Sequence, residues 1–316
     1  MVTLARRLGA LVLTLVVSSF VIFAGMYAAP GDPLTFLIKN PEDRTPDRVA
    51  AVRAAYHLDD SFLSQYLSWL KGVLHGDLGT SFVYKQPVAD LMTSRLPVTL
   101  TLVAMAALLF VVVGVLLGVV SALKRGTTID ASITGVTTFL TSIPNFVVAL
   151  VLVSVFAVQL RWFDVSGSGE GFGDRLYHLT LPAIALAIGA FAVVSRVTRQ
   201  TMVEQQSLEH VDVARSFGLA RRKIVRRHVL RNSLGPVVTM CGLIIASMLA
   251  GTVVIESVFG LNGVGSMLVD SINAHDFPVV QAILLYMVLA YMAVTIVVDL
   301  LYPLIDPRTL ERSGAA

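Results

Sequence analysis

Four polar side chains lie within or at the ends of long apolar stretches of this sequence: Asn145, Arg196, Glu256 and Asp299. An ionisable group at membrane depth costs free energy, and it usually faces a partner or a water-filled path. Arg196, Glu256 and Asp299 lie near stretch ends, where an interfacial or structural role is the alternative. Pro144 predicts a kink, and Asn145 beside it can bond a freed backbone group. All four are candidates for a gate or path.

The sequence carries no motif for nucleotide binding or catalysis. It has no Gly-x4-Gly-Lys-Ser/Thr phosphate loop, no His-Glu-x-x-His and no Gly-x-Ser-x-Gly. His178, His210, His228 and His275 do not have metal-ligand spacing. The single cysteine, Cys241, cannot form an intramolecular disulfide and is interpreted as an apolar filler. We therefore expect a protein that is not an enzyme, with no catalytic residue and no metal site.

The segment after residue 206 predicts a short helix closed by glycine. Ser207 can cap its start, Glu209 suits the positive end of the helix dipole, and Gly218 can adopt the left-handed turn that ends it. A helix of about three turns over Leu208–Phe217 has too little apolar surface to be stable alone. It must lie in the lipid headgroups or dock into a partner protein, and the residues alone leave both open.

A second, basic helix is predicted to begin near Arg221 and to continue into an apolar stretch. Cations near a membrane surface are attracted to anionic lipids, with about 1 kcal/mol for each. This pattern predicts membrane lipid as a partner of the loop. The cations are Arg221, Arg222, Lys223, Arg226, Arg227 and Arg231.

The composition of the chain predicts that the residues named above are positioned by transmembrane helices. The chain has 316 residues, of which 55% are hydrophobic and only 14% charged. Continuous apolar stretches of roughly 20 residues span a bilayer as helices, because lipid offers the backbone no partners. We predict about six transmembrane helices and an all-α integral membrane protein. The stretches are Leu8–Tyr27, Val98–Leu123, Ile133–Leu160, Leu181–Thr201, Pro236–Val258 and Val279–Leu304.

The distribution of Lys and Arg predicts the orientation. The segment Arg196–Arg231 has nine cations against three acids, whereas residues 256–278 have three acids and no Lys or Arg. By the positive-inside rule, both termini and the basic loops are cytoplasmic. Lys124 and Arg215 should therefore lie inside, and Tyr66 and Gly169 outside. The first apolar stretch is too long for the core of a signal peptide, so we expect a retained helix.

Two regions are predicted along the chain. Residues 1–97 form the first transmembrane helix and an external segment, which opens with a turn at residues 30–33 and holds helices near Thr45–Tyr56 and Asp60–Leu74. Residues 98–316 form a five-helix core with a cytoplasmic loop at 196–235. Gly114 and Gly118 form a Gly-x-x-x-Gly pattern, which is typical of close helix packing.

The glycine-closed loop resembles a known family. The spacing Asp212-Val213-Ala214-x3-Gly218 looks like the Glu-Ala-Ala-x3-Gly loop of binding-protein-dependent ABC importer permeases. Asp212 and Val213 depart from that pattern, and Pro236 falls later than its usual ending. The Arg231-to-Pro236 ending is similar to the dipeptide/oligopeptide/nickel branch. Further segments that resemble this branch are Ala29-Pro30-Gly31-Asp32-Pro33, Gly76-Asp77-Leu78-Gly79-Thr80-Ser81, Ser142-Ile143-Pro144-Asn145-Phe146, Glu256-Ser257-Val258-Phe259-Gly260, Asp276-Phe277-Pro278-Val279-Val280, Asp299-Leu300-Leu301-Tyr302 and Asp306-Pro307-Arg308.

The resemblance implies a type I ABC importer permease-like bundle in the inner or plasma membrane. It implies a second homologous permease subunit, two ATPase subunits that carry ATP and Mg, an extracytoplasmic solute-binding protein and no nucleic acid. The imported solute would be a short peptide, or nickel in some members. The resemblance also implies that the loop couples to the ATPase. The residues of this coupling set are Leu208, Glu209, Val211, Asp212, Ala214, Arg215, Phe217 and Gly218.

Two other classes of protein compete with this interpretation. A secondary transporter would be expected to show inverted repeats and ionisable residues at the bilayer midplane, and the sequence shows neither. A receptor or scaffold would not require a glycine-closed helix in this loop. An ATPase bound to the purified chain would distinguish these classes.

Overall fold

The structure is a computed structural model that describes residues 2–28, 44–55 and 59–305. Every regular element within these ranges is helical. The predicted turn at residues 30–33 and the segment Asp306-Pro307-Arg308 lie outside the described residues. The helices are α1 (Val2–Tyr27), α2 (Pro46–Ala55), α3 (Phe62–Leu74), α4 (Val88–Leu123), α5 (Thr128–Thr141), α6 (Asn145–Gln159), α7 (Gly171–His178), α8 (Thr180–Gln206), α9 (Glu209–Ser216), α10 (Arg221–Val258), α11 (Val264–Asn273) and α12 (Phe277–Ile305).

Within the described residues, five helices are long and apolar enough to cross a membrane: α1, α4, α8, α10 and α12. The pair α5 and α6 also qualifies, although the two helices are bent by 97° at a short break, so the count is six if this pair is one span. Six apolar regions were therefore identified correctly. The third is not the single continuous helix that its composition predicts.

The break between α5 and α6 has a local cause in the sequence. Pro144 has no N–H and disfavours helical backbone at the residue before it, so the helix ends ahead of it. The N–H groups of Ser142 and Ile143 bond to the carbonyls three residues earlier, which tightens the last turn of α5. Pro144 then precedes α6 as its N-cap, and Asn145 is the first helical residue. The predicted kink is thus a complete interruption.

The chain divides into two compact units. The first contains Met1–Pro97 with Gly263–Ala290, and the second contains Val98–Asn262 with Tyr291–Ala316. The helices α4 and α12 each continue from one unit into the other.

In the first unit, α3 packs against α1 through aromatic side chains. Phe62, Tyr66 and Trp69 lie at helical spacing and contact Phe20 and Phe23 with ring centroids 5.4–5.7 Å apart. Three leucines of α3, Leu63, Leu67 and Leu74, are exposed.

In the second unit, α4 and α8 approach closely at the two glycines of α4. A Cβ atom on Gly114 would lie 2.8 Å from the Phe191 carbonyl oxygen, and one on Gly118 would lie 2.5 Å from Thr198 Cβ. Real Cβ atoms do not approach so closely, and a core that is already full does not yield without strain. The predicted close packing is confirmed.

Replacing Gly118 with alanine should therefore destabilise the folded chain by about 1 kcal/mol or more, because the added methyl overpacks the contact with α8. Gly135 in α5 is the matched control, since a Cβ there would meet nothing within 4 Å. Gly135→Ala should be neutral or slightly stabilising, since alanine is the better helix former. Thermal unfolding in detergent, followed by the fraction of monodisperse protein, measures the difference. Equal melting of both variants would contradict the packing argument.

Candidate functional site

The loop between α8 and α10 contains the short helix α9. Residues Ser207 and Leu208 link α8 to α9, and Leu208 is the N-cap, with extended backbone and no side-chain cap bond. The Ser207 hydroxyl instead donates to the Glu204 carbonyl at 2.8 Å, at the end of α8. The prediction that Ser207 caps α9 is therefore wrong. Because α8 continues to Gln206, Ser207 is the C-cap of α8, one residue before the N-cap of α9.

Gly218 ends α9 in the manner that the sequence predicted. Its φ is +73°, in the left-handed region. Its N–H donates to the Arg215 carbonyl at 2.9 Å, and the Leu219 N–H donates to the Ala214 carbonyl at 3.3 Å. These two bonds form a Schellman motif, which satisfies the last carbonyls of the helix. The helix spans eight residues, about two turns rather than the predicted three.

One face of α9 is buried against its own chain. Val211 is fully buried and Ala214 is only 6% exposed. They belong to an apolar cluster that we call the loop core, formed by Ala122, Met202, Val211, Ala214, Ile224 and Val229. Ala214, which the resemblance includes in the coupling set, therefore faces its own chain in α9. The small side chain lets α9 lie close to the rest of the loop.

Three apolar residues in α9 or at its ends remain exposed, and charged residues lie between them. Leu208 and Val213 are exposed, and Phe217 is 80% exposed. Asp212 and Arg215 form an ion pair at 2.9 Å on the same helix, with both side chains exposed. Glu209 is exposed in the first turn. A protruding Phe ring flanked by aliphatic and charged groups is typical of a docking surface. We call Leu208, Val213 and Phe217 the outer face of α9.

The basic residues predicted to follow α9 lie at the start of α10. Arg221, Arg222, Lys223, Arg226, Arg227 and Arg231 are all exposed, whereas Ile224 and Val229 are buried in the loop core. A π-helical stretch over Val225–Leu230 connects this segment to the long apolar part of α10. The predicted continuity between the basic helix and the fifth apolar stretch is confirmed.

The four polar residues of the apolar stretches lie in different environments. Glu256 is fully buried, and its carboxylate accepts a hydrogen bond from Thr99 Oγ1 at 2.6 Å. Glu256 therefore faces a partner within the chain, and its predicted place at the membrane interface stays a prediction. Arg196 and Asn145 are exposed, and Asn145 Oδ1 faces Gly189 of α8. Asp299 lies on α12, but its side chain is outside the described residues.

An ion pair with a buried carboxylate was not predicted from the sequence. Asp130 in the first turn of α5 is 5% exposed, and Arg199 of α8 donates to both of its oxygens, from Nε at 2.7 Å and from Nη2 at 2.8 Å. The predicted third span started at Ile133, which left Asp130 outside it. An acid in the first turn of an apolar helix was the available signal.

A second buried carboxylate, Asp276, was also missed. It lies between α11 and α12, accepts from Ser81 Oγ, and accepts from the backbone N–H groups of Phe82 and Val83 at 2.9 and 3.2 Å. It therefore holds the turn that precedes α4. The segment that ends at Asp276 contains the helix α11.

Comparison with known proteins identifies the family. A model described as binding-protein-dependent transport system inner membrane component matches residues 114–311. The model for the N-terminal part of the same membrane components matches residues 1–103. The chain belongs to this family. It is therefore a permease subunit of a binding-protein-dependent transport system and a multi-pass protein of the inner membrane.

Members of the permease family resemble the chain over almost its whole length. The oligopeptide transport system permease protein AppB of Bacillus subtilis is 36% identical over 304 residues, which are 94% of this chain and 95% of AppB. The dipeptide transport system permease protein DppB of Lactococcus lactis is 36% identical, with 96% and 97% covered. The solved MetNI methionine ABC transporter in inward-facing form has a TM-score of 0.58 at 16% identity, covering 68% of this chain and 96% of that chain. The predicted all-α permease fold is confirmed.

Proposed function

We propose that this permease subunit moves short peptides inward by alternating access, with ATP hydrolysed on separate ATPase subunits. The observation that carries the coupling is the outer face of α9, an exposed apolar surface on a helix closed by a Schellman motif. Peptide as the solute is supported by its relatives, which are named as oligopeptide and dipeptide permeases. Nickel or another small solute on the same architecture is the alternative.

The buried and exposed residues of α9 support two separate roles for this helix. Its inner face, with Val211 and Ala214, attaches the helix to the loop core of this chain. Its outer face, with Phe217 exposed, is available to the ATPase. A helix attached on one side and docked on the other moves with its partner and transmits that motion to the spans. The charged residues Glu209, Asp212 and Arg215 would form the polar rim of the contact.

The complex that we propose has four kinds of component. It contains this chain, a second homologous permease, two ATPase subunits and an extracytoplasmic solute-binding protein. The family description supports the binding protein directly, since its members serve binding-protein-dependent systems. Specificity for the peptide would lie mainly in that binding protein, and anionic lipid would lie against the cations at the start of α10.

Reconstitution in proteoliposomes tests this function. The chain, its permease partner, the ATPase subunits and the binding protein of the same system are assembled, and ATP hydrolysis is measured with di- and oligopeptides and separately with Ni²⁺. We expect peptide-loaded binding protein to stimulate hydrolysis and to drive uptake. Uptake without the ATPase would favour a secondary transporter, and stimulation by Ni²⁺ alone would favour the nickel alternative.

The proposed orientation places both termini and the loop between α8 and α10 in the cytoplasm. Single cysteines in a Cys241→Ser background test it with a membrane-impermeant thiol reagent on intact cells. Because Tyr66 is buried and Gly169 has a crowded left-handed backbone, the exposed neighbours Leu67 and Phe172 are the better external positions. Cysteines there should react from outside, whereas those at Lys124 and Arg215 should react only after lysis. Labelling of position 172 only after lysis would contradict the proposed topology.

A further inference from the structure

An ion pair with a buried carboxylate joins four segments of the second unit. Besides both donors of Arg199, the Asp130 carboxylate accepts from Ser121 Oγ of α4 at 2.5 Å and from the Gly126 N–H at 3.0 Å. Both carboxylate oxygens therefore have two donors each. The carboxylate joins the end of α4, the turn after it, the start of α5 and the middle of α8.

The geometry of this pair indicates a role in orientation. This ion pair is expected to contribute little net stability compared with apolar side chains of similar size, because the Asp130 carboxylate leaves water and Arg199, at 32% exposure, does so in large part. A planar guanidinium that binds a carboxylate through two parallel bonds does fix both the distance and the angle between its helices. Apolar contacts between α5 and α8 would hold the two helices close without fixing their register so firmly.

The ion pair also adjoins the loop core that carries α9. Ala122 directly follows Ser121, and Met202 lies three residues after Arg199, on the same side of α8. Both Ala122 and Met202 pack in the cluster that contains Val211 and Ala214 of α9. The two segments that hold the Asp130 carboxylate are thus the segments on which α9 rests.

We propose that Asp130 and Arg199 are a positioning pair that transmits displacement of α9 to α5. With the pair intact, α4, α8 and the loop core move as one body when the ATPase displaces α9, and α5 is carried with them. Because α5 ends at the break before α6, its motion changes the angle of the broken span. This inference rests on the proposed function, since it requires an ATPase that moves α9.

The test removes both charges together, so that no unpaired charge is left buried. The double variant Asp130→Asn/Arg199→Gln and the single variant Arg199→Lys, which keeps the charge but loses the fork, are each reconstituted in the complete complex. We expect normal binding of the ATPase, continued ATP hydrolysis, and a ratio of peptide moved to ATP hydrolysed that is lower by about fivefold or more. Arg125→Gln, an exposed cation in the turn between α4 and α5, should leave that ratio unchanged.

The ratio of transport to hydrolysis separates this role from a purely structural one. If the double variant reduces only the amount of folded chain and each assembled complex keeps the wild-type ratio, the inference is wrong. The inference would also be wrong if both Arg199→Lys and the double variant kept the wild-type ratio of peptide moved to ATP hydrolysed. Failure of the unmodified chain to bind an ATPase is a different result, which would refute the proposed function itself.

Discussion

Replacing Gly218 with valine is expected to abolish coupled transport while the chain still inserts in the membrane. Gly218 has a φ of +73° and closes α9 through bonds to the carbonyls of Arg215 and Ala214. A β-branched residue in the left-handed region is strained by about 1–2 kcal/mol. Relief of that strain would open the Schellman motif and re-aim Phe217, which occupies the preceding position. Uptake and ATP hydrolysis in proteoliposomes measure the effect.

Two further glycine variants separate the role of this turn from general strain. Gly218→Asn should retain most activity, because asparagine tolerates the left-handed region. Gly76→Val adds a comparable strain elsewhere, since Gly76 has a φ of +82° and, like Gly218, open space where a Cβ would lie. We expect Gly76→Val to transport in proportion to the amount of folded chain. Wild-type uptake by Gly218→Val would contradict the role of the turn.

Replacing Phe217 with serine is expected to weaken binding of the ATPase by about 2 kcal/mol or more, a change of roughly thirtyfold in Kd, if the ring is the central anchor of the contact. Its side chain contributes little to the isolated chain, because it is already 80% exposed. The variant should therefore melt at the wild-type temperature and yet lose the ATPase during purification. Quantitative pull-down with the purified ATPase measures the affinity.

Phe172 supplies the matched control for this substitution. It is 77% exposed and lies on α7, in a different loop. Phe172→Ser removes the same phenyl ring at a position of nearly the same exposure. It should leave ATPase binding unaltered. Equal losses for the two variants would mean that both act through solubility, and the outer face of α9 would then not be the docking surface.

The elements that follow from local rules could be predicted from the sequence. Continuous apolar stretches gave the spans, the glycine pair gave the close contact between α4 and α8, and Gly218 gave the end of α9. Each of these depends on one segment and on one property, namely apolar length, the absence of a side chain or a left-handed turn. The break at Pro144 was anticipated in position but not in extent, because a 97° bend depends on what both halves pack against.

The interactions that join distant segments could not be predicted in the same way. Glu256 and Thr99 are separated by 157 residues, and Asp276 and Ser81 by 195. No periodicity in either segment indicates its partner, so the hydrogen bonds of Glu256 and Asp276 could not be predicted. Asp130 and Arg199 were missed for the same reason. The burial of Val211 and Ala214 could not be predicted, because an eight-residue helix gives no pattern long enough to distinguish its inner from its outer face.

Photo-crosslinking from position 217 tests the central claim most directly. A photoreactive phenylalanine analogue replaces Phe217 in the assembled complex, and the same analogue replaces Phe172 as the control. The account predicts a crosslink from position 217 to the ATPase subunit, with a yield that changes between the nucleotide-free and ATP-bound states, and none from position 172. Crosslinks from position 217 to lipid alone, in a complex that still transports, would contradict it and leave α9 as a membrane-surface helix.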